Sequence, residues 1–286
     1  MVGLIVLFFG GVTFFVARLI HPGNFTDNSK NGIGVVTLRG VILQAKEPIA
    51  QLTAFRNNAN IKAVIVRIDS PGGAVGASQE IYAEIKRTAR AKPVVASMES
   101  VAASGGYYAA LGASKIVADP GTITGSIGVI IKFANLQKLF KKIGYQPEVI
   151  KSGSHKDIGS TAREMTKEER QLLQAVTDNI HEQFIRAVAG SRHLKIAQVK
   201  KIADGRVLTG EQALKLGLLD QLGNFTDAVQ LAAKLAGIPS AQPNLVYPKD
   251  NSFNLLHYLT NIKDETLANM FLDKIPAIMY KLNITQ

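Results

Sequence analysis

The stretch Val101-Ala102-Ala103-Ser104-Gly105-Gly106-Tyr107-Tyr108 decides how the rest of the chain is interpreted. It lies between a strand-like run at residues 93–97 and a helix-like run at residues 107–112. Its small residues permit a sharp turn of the backbone and a close approach of a substrate. At such a turn the hydroxyl of Ser104 can be exposed, and the amide of the next residue can point at an oxyanion. The alternative is a tight turn with an N-capping serine. The octapeptide alone leaves both interpretations open.

Strands and helices alternate on both sides of this stretch. Apolar and β-branched runs predict strands at residues 34–38, 63–68, 93–97, 115–118, 127–131 and 147–151. Amphipathic runs predict helices at residues 47–58, 74–91, 107–112, 135–142, 166–190 and 227–236. Thr166 and Glu169 form a capping-box pattern at the start of the longest helix. This order predicts an α/β fold with a largely parallel sheet, whose functional residues lie in the loops that follow the strands.

The amino-terminal residues form a separate segment. Residues 2–17 carry no charged side chain, and Arg18 interrupts the apolar run. About 20 apolar residues span a bilayer, so the run lies at the lower limit of that length. Because no small-x-small cleavage site follows it, we interpret residues 1–20 as a retained transmembrane anchor rather than a cleaved signal peptide. Residues 21–31 then form a linker, residues 32–240 the main domain and residues 241–286 a carboxyl-terminal tail.

The composition narrows the possible partners. The chain has 286 residues and no cysteine, which excludes disulfides and thiolate metal sites, and we expect neither a metal nor a cofactor. Its net charge is +11, which favours nucleic acid or anionic lipid as a partner. The sequence has no nucleic-acid fold signature and no stripe of alternating aromatic and basic residues, so nucleic acid is not expected. Tethering beside an anionic bilayer explains the charge, and a solvated basic surface explains it equally well.

A nucleophilic serine requires a base. The histidines are His21, His155, His181, His193 and His257, and none lies within fifty residues after Ser104. A Ser/His/Asp arrangement of the Clp type is therefore excluded. A lysine amine that has lost its proton is the remaining option.

Five segments resemble the signal peptide peptidase A family, in its short single-repeat bacterial form. They occur in the order and approximate spacing of that family, over roughly residues 32–250, and five motifs in order are far more specific than one. The segments are Asp69-Ser70-Pro71-Gly72-Gly73, Ala102-Ala103-Ser104-Gly105-Gly106-Tyr107-Tyr108, Gly125-Ser126-Ile127-Gly128-Val129, Ser152-Gly153-Ser154-His155-Lys156-Asp157 and Leu208-Thr209-Gly210-Glu211-Gln212-Ala213.

The resemblance implies a crotonase/Clp protease-like fold of repeated β-β-α units and a Ser/Lys dyad. It implies Ser104 as nucleophile, Lys156 as general base and Ser126 as the residue that orients the lysine. It also implies the amides of Gly73 and Gly105 as oxyanion donors. The family hydrolyses peptides, including released signal peptides, as a ring-shaped homo-oligomer at the outer face of the bacterial cytoplasmic membrane, so we expect these properties here.

Each of these residues can also be interpreted as purely structural. Lys156 can be one of many solvated lysines, Ser126 a strand-capping serine and residues 72–73 only a helix start. We interpret Asp157 as a surface or capping carboxylate rather than a catalytic acid, and residues 163–166 as a helix entry rather than a site.

Two other functions compete. An acyl-CoA enzyme of the crotonase fold needs a carboxylate acid/base, and no aspartate or glutamate lies between residues 101 and 118. An inactive scaffold that binds membrane proteins is disfavoured by the presence of both Ser104 and Lys156.

Overall fold

The computed structural model describes residues 31–239, 243–248 and 279–281. The predicted anchor at residues 1–20, nearly all of the predicted linker and most of the predicted tail lie outside this part of the chain. Among the described residues, no helix is long and apolar enough to cross a membrane.

The described chain alternates strands and helices, as predicted. The strands are β1 (Gly32–Arg39), β2 (Ile61–Ser70), β3 (Gly72–Ala74), β4 (Val94–Ala103), β5 (Lys115–Ala118), β6 (Ile123–Gly125), β7 (Val207–Thr209), β8 (Gln221–Leu222), β9 (Leu245–Val246) and β10 (Met279–Lys281). The helices are α1 (Lys46–Asn57), α2 (Val75–Ala89), α3 (Gly105–Ala110), α4 (Gln137–Lys142), α5 (Lys167–Arg192), α6 (Ile196–Lys200), α7 (Gly210–Lys215) and α8 (Phe225–Leu235).

Most strands join one largely parallel sheet. Its order is β7-β6-β4-β2-β1-β9, and only the β6–β7 pair is antiparallel. Strand β4 pairs with β5 along its first half and with β6 along its second half. The carboxyl ends of β2, β4 and β6 therefore meet at one edge of the sheet, with Ser70 opposite Ala102 and Ala103 opposite Gly125.

The sheet is buried on both faces. Alternate residues of β2 divide between two cores, since Val64 and Val66 belong to one and Ala63 and Ile65 to the other. Helices α1, α2, α3 and α5 contribute to the first core, and α8 covers the second. Burial of both faces explains why the strand sequences are almost continuously apolar rather than alternating.

Two predicted strands are wrong. Residues 127–131 do not form a strand, because β6 ends earlier, where Gly125 and Ser126 adopt φ values of 72° and 50°. The ladder is interrupted at these left-handed residues, and in the run that follows Ile130 makes an isolated bridge without forming a strand. Residues 147–151 are also not a strand and are exposed to solvent. They are part of a largely exposed stretch at residues 132–151, in which Phe133 and Phe140 are partly buried and which we call the projecting segment.

The predicted long helix is confirmed, and so is its capping box. The hydroxyl of Thr166 accepts the amide hydrogen of Glu169 at 3.1 Å, and the Glu169 carboxylate accepts that of Thr166 at 2.9 Å. The helix ends at Arg192 rather than at residue 190, with His193 as a left-handed cap. The apolar side of this amphipathic helix is buried only toward its carboxyl end, and Leu172 and Val176 remain exposed.

The hydroxyl of Tyr107 gives a direct test of this packing. Tyr107 is fully buried and donates a hydrogen bond of 2.8 Å to the carbonyl of Leu218. Burial raises the pKa of Tyr107, so the hydroxyl stays protonated. We expect Tyr107→Phe to lower the free energy of unfolding by about 1–3 kcal/mol, because a buried acceptor loses its donor. Urea denaturation measures this, with Tyr247→Phe at an exposed tyrosine as the matched control. Equal midpoints for both variants would contradict the prediction.

Candidate active site

Ser104 occupies the turn between strand β4 and helix α3. Its backbone angles are φ 53° and ψ −115°, a combination that L-residues rarely adopt, and the residue is buried. The turn is held on both sides, since the amide of Ser104 donates to the carbonyl of Gly125 at 2.8 Å and the amide of Tyr108 donates to the carbonyl of Ser104 at 2.8 Å. Such strain persists only where the surroundings enforce it, and it is concentrated at functional sites. The strand-to-helix junction predicted for Ser104 is therefore present.

The glycine loop after β2 lies beside Ser104. A Cβ added to Gly105 would be 3.1 Å from the amide nitrogen of Gly73, which places these two backbone segments in contact. A Cβ added to Gly73 would collide with the carbonyl of Ile42, so that position admits only glycine. Gly105 is the first residue of α3, where amide hydrogens have no acceptor within the helix. The two amides assigned as oxyanion donors thus belong to adjoining segments.

Ser126 reaches the same sheet edge from strand β6. It follows Gly125, whose carbonyl binds the amide of Ser104. Its own amide donates to the carbonyl of Arg206 at 2.8 Å, and the residue is nearly buried with φ 50°. Ala103 and Gly125 are the last residues paired between β4 and β6. Ser104 and Ser126 are the next residue of each strand, so both follow the same position in the sheet.

Lys156 lies in a turn that is exposed to solvent. In the described part of the chain, its ammonium group has no hydrogen-bond or ion-pair partner, and neither does the hydroxyl of Ser104. The structure therefore brings together Ser104, Ser126, Gly73 and Gly105, but it does not pair Lys156 with Ser104 within one chain.

A network of charges surrounds the turn that carries Lys156. Arg163 donates to the carboxylate of Asp157 at 2.9 and 3.0 Å, and to that of Glu169 at 2.8 and 2.5 Å. Lys151 also donates to Asp157, at 2.5 Å. The hydrogen bonds from Arg163 and then from Lys151 hold the pKa of Asp157 well below its usual range. Residues 163–166 lead into helix α5, as expected, with Thr166 as its N-cap. The sequence did not predict that the side chain of Arg163 binds both Asp157 and Glu169.

Among the described histidines, none forms a hydrogen bond with Ser104. The Nε2 atom of His155 lies 3.6 Å from Glu168, and the Nε2 atom of His181 is buried without a partner among the described residues.

Sequence reasoning missed two serines that shape the glycine loop. The hydroxyl of Ser70 accepts the amide hydrogen of Gly72 at 3.1 Å, and that of Ser78 donates to the carbonyl of Ala74 at 3.0 Å. Both residues are fully buried, and the Ser78 oxygen would lie 2.5 Å from a Cβ added to Gly105. Ser70 was inside a quoted motif, but Ser78 carries no local signal because its role depends on the approach of helix α2 to Gly105.

Strand β3 is paired with backbone on both of its sides. On one side, the amide of Ile42 donates to the carbonyl of Gly72 at 2.9 Å, and the amide of Ala74 donates to that of Ile42 at 2.7 Å. On the other, β10 runs antiparallel, with Tyr280 opposite Gly73. The edge of β3 therefore accepts an extended chain next to the glycine amides.

These features are those of a serine hydrolase that acts on an extended chain. A strained serine at a strand-to-helix turn adjoins two glycine amides, and a strand edge beside them binds extended backbone.

Comparison with known proteins identifies the family. The model of peptidase family S49 matches residues 86–239, more than half of the chain. A putative protease of Synechocystis is 52% identical over 216 residues, which cover 75% of this chain and 78% of that protein. The chain therefore belongs to peptidase family S49, and it is a serine protease.

Further proteins and one further family model are similar to parts of this chain. The chloroplastic serine protease SPPA of Arabidopsis thaliana is 39% identical over 207 residues, which cover 72% of this chain but only 31% of that protein. The Clp protease family model matches residues 40–119, in agreement with the predicted Clp-like α/β fold. A ClpP1 variant from Listeria monocytogenes aligns with a TM-score of 0.48 at 21% identity, over 68% of this chain and 94% of that one. With a serine protease established, the acyl-CoA alternative is wrong.

The network around Arg163 predicts a loss of stability in acid. Hydrogen bonds from Arg163 and then from the amide of Thr166 lower the pKa of Glu169 from 4.5 to about 2. A carboxyl whose folded-state pKa is lowered contributes stability above its ordinary pKa and loses it as the pH falls toward the folded value. Glu169→Gln should therefore be less stable than the parent at neutral pH, and the difference should shrink between pH 4.5 and about 2.

Urea midpoints across this range measure the effect. Glu164→Gln is the control, because Glu164 is exposed and its carboxylate is outside the network. A difference between Glu169→Gln and the parent that stays constant down to pH 2 would be evidence against this assignment.

Proposed function

We propose that this chain is an endopeptidase with a Ser/Lys dyad, in which Ser104 is the nucleophile and Lys156 the general base. Ser126 orients the lysine amine, and the amides of Gly73 and Gly105 bind the oxyanion. The observation that carries the proposal is the buried, strained Ser104 beside these glycines, combined with an unpaired Lys156 on an exposed turn.

The chemistry follows from these groups. The neutral amine of Lys156 takes the proton of the Ser104 hydroxyl as the oxygen attacks the peptide carbonyl, and the oxyanion forms against the two amides. The ammonium then gives that proton to the departing amine, and the peptide C–N bond breaks to leave an acyl-serine. Water, deprotonated by the same amine, cleaves the ester and restores the serine.

The dyad is proposed to form between two copies of the chain. Ser104 is buried in the sheet edge, whereas Lys156 is exposed and its ammonium has no partner in the described chain. The projecting segment just before it exposes several large apolar side chains, a composition that favours contact with another protein surface. These are Leu139, Ile143, Tyr145, Val149 and Ile150. Leu172 and Val176 of α5 are also exposed. A ring of copies would bury such apolar side chains while bringing each lysine to a neighbouring serine.

Subunit mixing tests the shared dyad. Ser104→Ala and Lys156→Ala should each be inactive, because neither can form the dyad alone. Mixed assemblies of the two variants should regain part of the activity, since some interfaces combine an intact serine with an intact lysine. Hydrolysis of a short apolar peptide is measured after joint refolding, with each variant refolded alone as control. Dead mixtures in which mixed assemblies are demonstrated by differential tagging would rule out a dyad between copies.

The proposed substrates are released signal peptides and other unfolded apolar peptides. The residues around the nucleophile are small and apolar, namely Ala102, Ala103 and the glycines at residues 72–73, and such surroundings suit apolar peptides with small side chains. The edge of β3 suits an extended chain, which a folded protein does not offer. We further propose that residues 1–20 anchor the chain in the bacterial cytoplasmic membrane, with the peptidase domain on the outer side, where such peptides remain after secretion.

Strand β10 is expected to compete with substrate. Met279–Lys281 pair with the same β3 edge that we assign to the peptide. A chain that ends at residue 278 should therefore show a KM several-fold lower than the parent for a short peptide, with little change in kcat. A chain that ends at residue 281 keeps β10 and is the control. The same KM for both truncated chains would show that β10 does not occupy the substrate position.

A further inference from the structure

We infer that Arg163 is a positioning residue for this reaction: it fixes the turn that carries Lys156 onto the first turn of helix α5. The lysine side chain then extends from a fixed backbone toward the serine that it serves. The inference rests on the proposed role of Lys156 as general base.

The first half of the connection joins Arg163 to the neighbour of the lysine. Asp157 follows Lys156 directly, and its two carboxylate oxygens accept hydrogen bonds from Nε and Nη2 of Arg163 at 2.9 and 3.0 Å. Nη2 also lies 3.4 Å from the carbonyl oxygen of Asp157. A planar guanidinium that meets both oxygens of a carboxylate fixes its orientation as well as its position.

The second half joins the same guanidinium to helix α5. Nη1 and Nη2 of Arg163 donate to the two oxygens of Glu169 at 2.8 and 2.5 Å. Glu169 lies in the first turn of α5, and its side chain is only 3% exposed. Its carboxylate also accepts the amide hydrogen of Thr166, so it cannot turn away. An isolated surface ion pair contributes little, but a network of bidentate contacts on a nearly buried carboxylate is the exception.

The backbone on both sides of the lysine is closed as well. The amide of Lys156 donates to the carbonyl of Gly153 at 3.1 Å, and the amide of Ser160 donates to that of Asp157 at 3.0 Å. Gly159 adopts φ 80°, and the ring of Phe133 fills the space where a Cβ would be. The turn is therefore held by packing in addition to charge.

The ammonium groups of Lys151 and Lys156 differ, and the difference fits the role of Lys156 as a base. The ammonium of Lys151 is bound by the Asp157 carboxylate at 2.5 Å and by the carbonyl of Ser154 at 2.9 Å. The ammonium of Lys156 makes no such contact in the described chain. A general base that serves a serine of another copy needs a fixed backbone and an amine that is free to bind that serine. A small misplacement of a reacting group lowers the rate by about 100-fold.

The test compares two arginines that anchor opposite ends of helix α5. Arg163→Met removes the connection to the Lys156 turn. Arg192→Met removes a comparable pair, in which Arg192 donates to Asp220 at 2.8 Å and to the carbonyl of Gly217 at 3.0 Å. Steady-state hydrolysis of a short apolar peptide gives kcat and KM, and thermal unfolding gives the loss of stability for each variant.

We expect Arg163→Met to lower kcat by about 10–100-fold while KM stays within about twofold, since binding to the β3 edge is untouched. Arg192→Met should lower the unfolding temperature but keep kcat within about twofold well below that temperature. Arg163→Lys should not restore kcat, because one ammonium cannot meet two carboxylates in bidentate fashion.

Three results would overturn the inference. They are a kcat for Arg163→Met within twofold of the parent, an equal loss of kcat in Arg163→Met and Arg192→Met, and full recovery in Arg163→Lys. If Arg163→Met does not fold, Asp157→Asn decides in its place, because it keeps the side-chain shape and the pair between Arg163 and Glu169. A folded Asp157→Asn with unchanged kcat also overturns the inference.

Lys156→Ala, assayed in parallel, separates this inference from the proposed function. If Lys156→Ala keeps its activity, the assignment of the base is wrong and the positioning role of Arg163 is wrong with it. If Lys156→Ala is inactive while Arg163→Met is fully active, only the positioning role is wrong.

Discussion

The parallel pairing of strand β4 with β2 and β6 is the constraint on which the site depends. In a parallel sheet the carboxyl ends of neighbouring strands share one edge, so segments far apart in the chain are brought together without direct side-chain recognition. Here the edge collects the glycine loop after β2, the Ser104 turn after β4 and Ser126 after β6. The hydrogen bond of 2.8 Å from the amide of Ser104 to the carbonyl of Gly125 extends that pairing by one residue into the strained turn.

The buried sheet and helix α3 maintain the strained backbone of Ser104. The sheet is covered on both faces, and the helix that follows the serine is buried along its whole length. A turn with φ 53° and ψ −115° costs on the order of 1–3 kcal/mol, which a loop on the surface would relieve by rearranging. Because Gly106 packs against the backbone of Ser70 and Tyr107 is bonded to Leu218, α3 cannot move away and the turn keeps its shape.

Much of this arrangement could be predicted from the sequence, for identifiable reasons. Buried parallel strands are marked by β-branched runs, and the Thr166–Glu169 capping box is local, so both were found. The strand expected at residues 127–131 failed because hydrophobicity does not reveal that Gly125 and Ser126 are left-handed. The strand expected at residues 147–151 failed because an apolar run can serve exposed surface as well as a sheet. The motifs identify the segments that contain Ser104 and Lys156. The position of Ser78 beside Gly105 and the contacts of Arg163 depend on tertiary packing, so no local sequence pattern predicts them.

The different settings of the two proposed dyad residues bear on how activity is controlled. A serine held rigidly in a sheet edge is ready for attack as soon as a base reaches it, so the step that must be restrained is the arrival of the base. Lys156 is placed on an exposed turn beyond an apolar projecting segment, and its amine has no internal partner in the described chain. In the proposed assembly, contact between copies buries the projecting segment and at the same time brings Lys156 to a neighbouring serine. The two events are coupled because the Lys156 turn directly follows that segment and is held in place on helix α5 by Arg163. A single chain would then hold a shaped but inactive site, and peptide hydrolysis would begin only where copies have assembled.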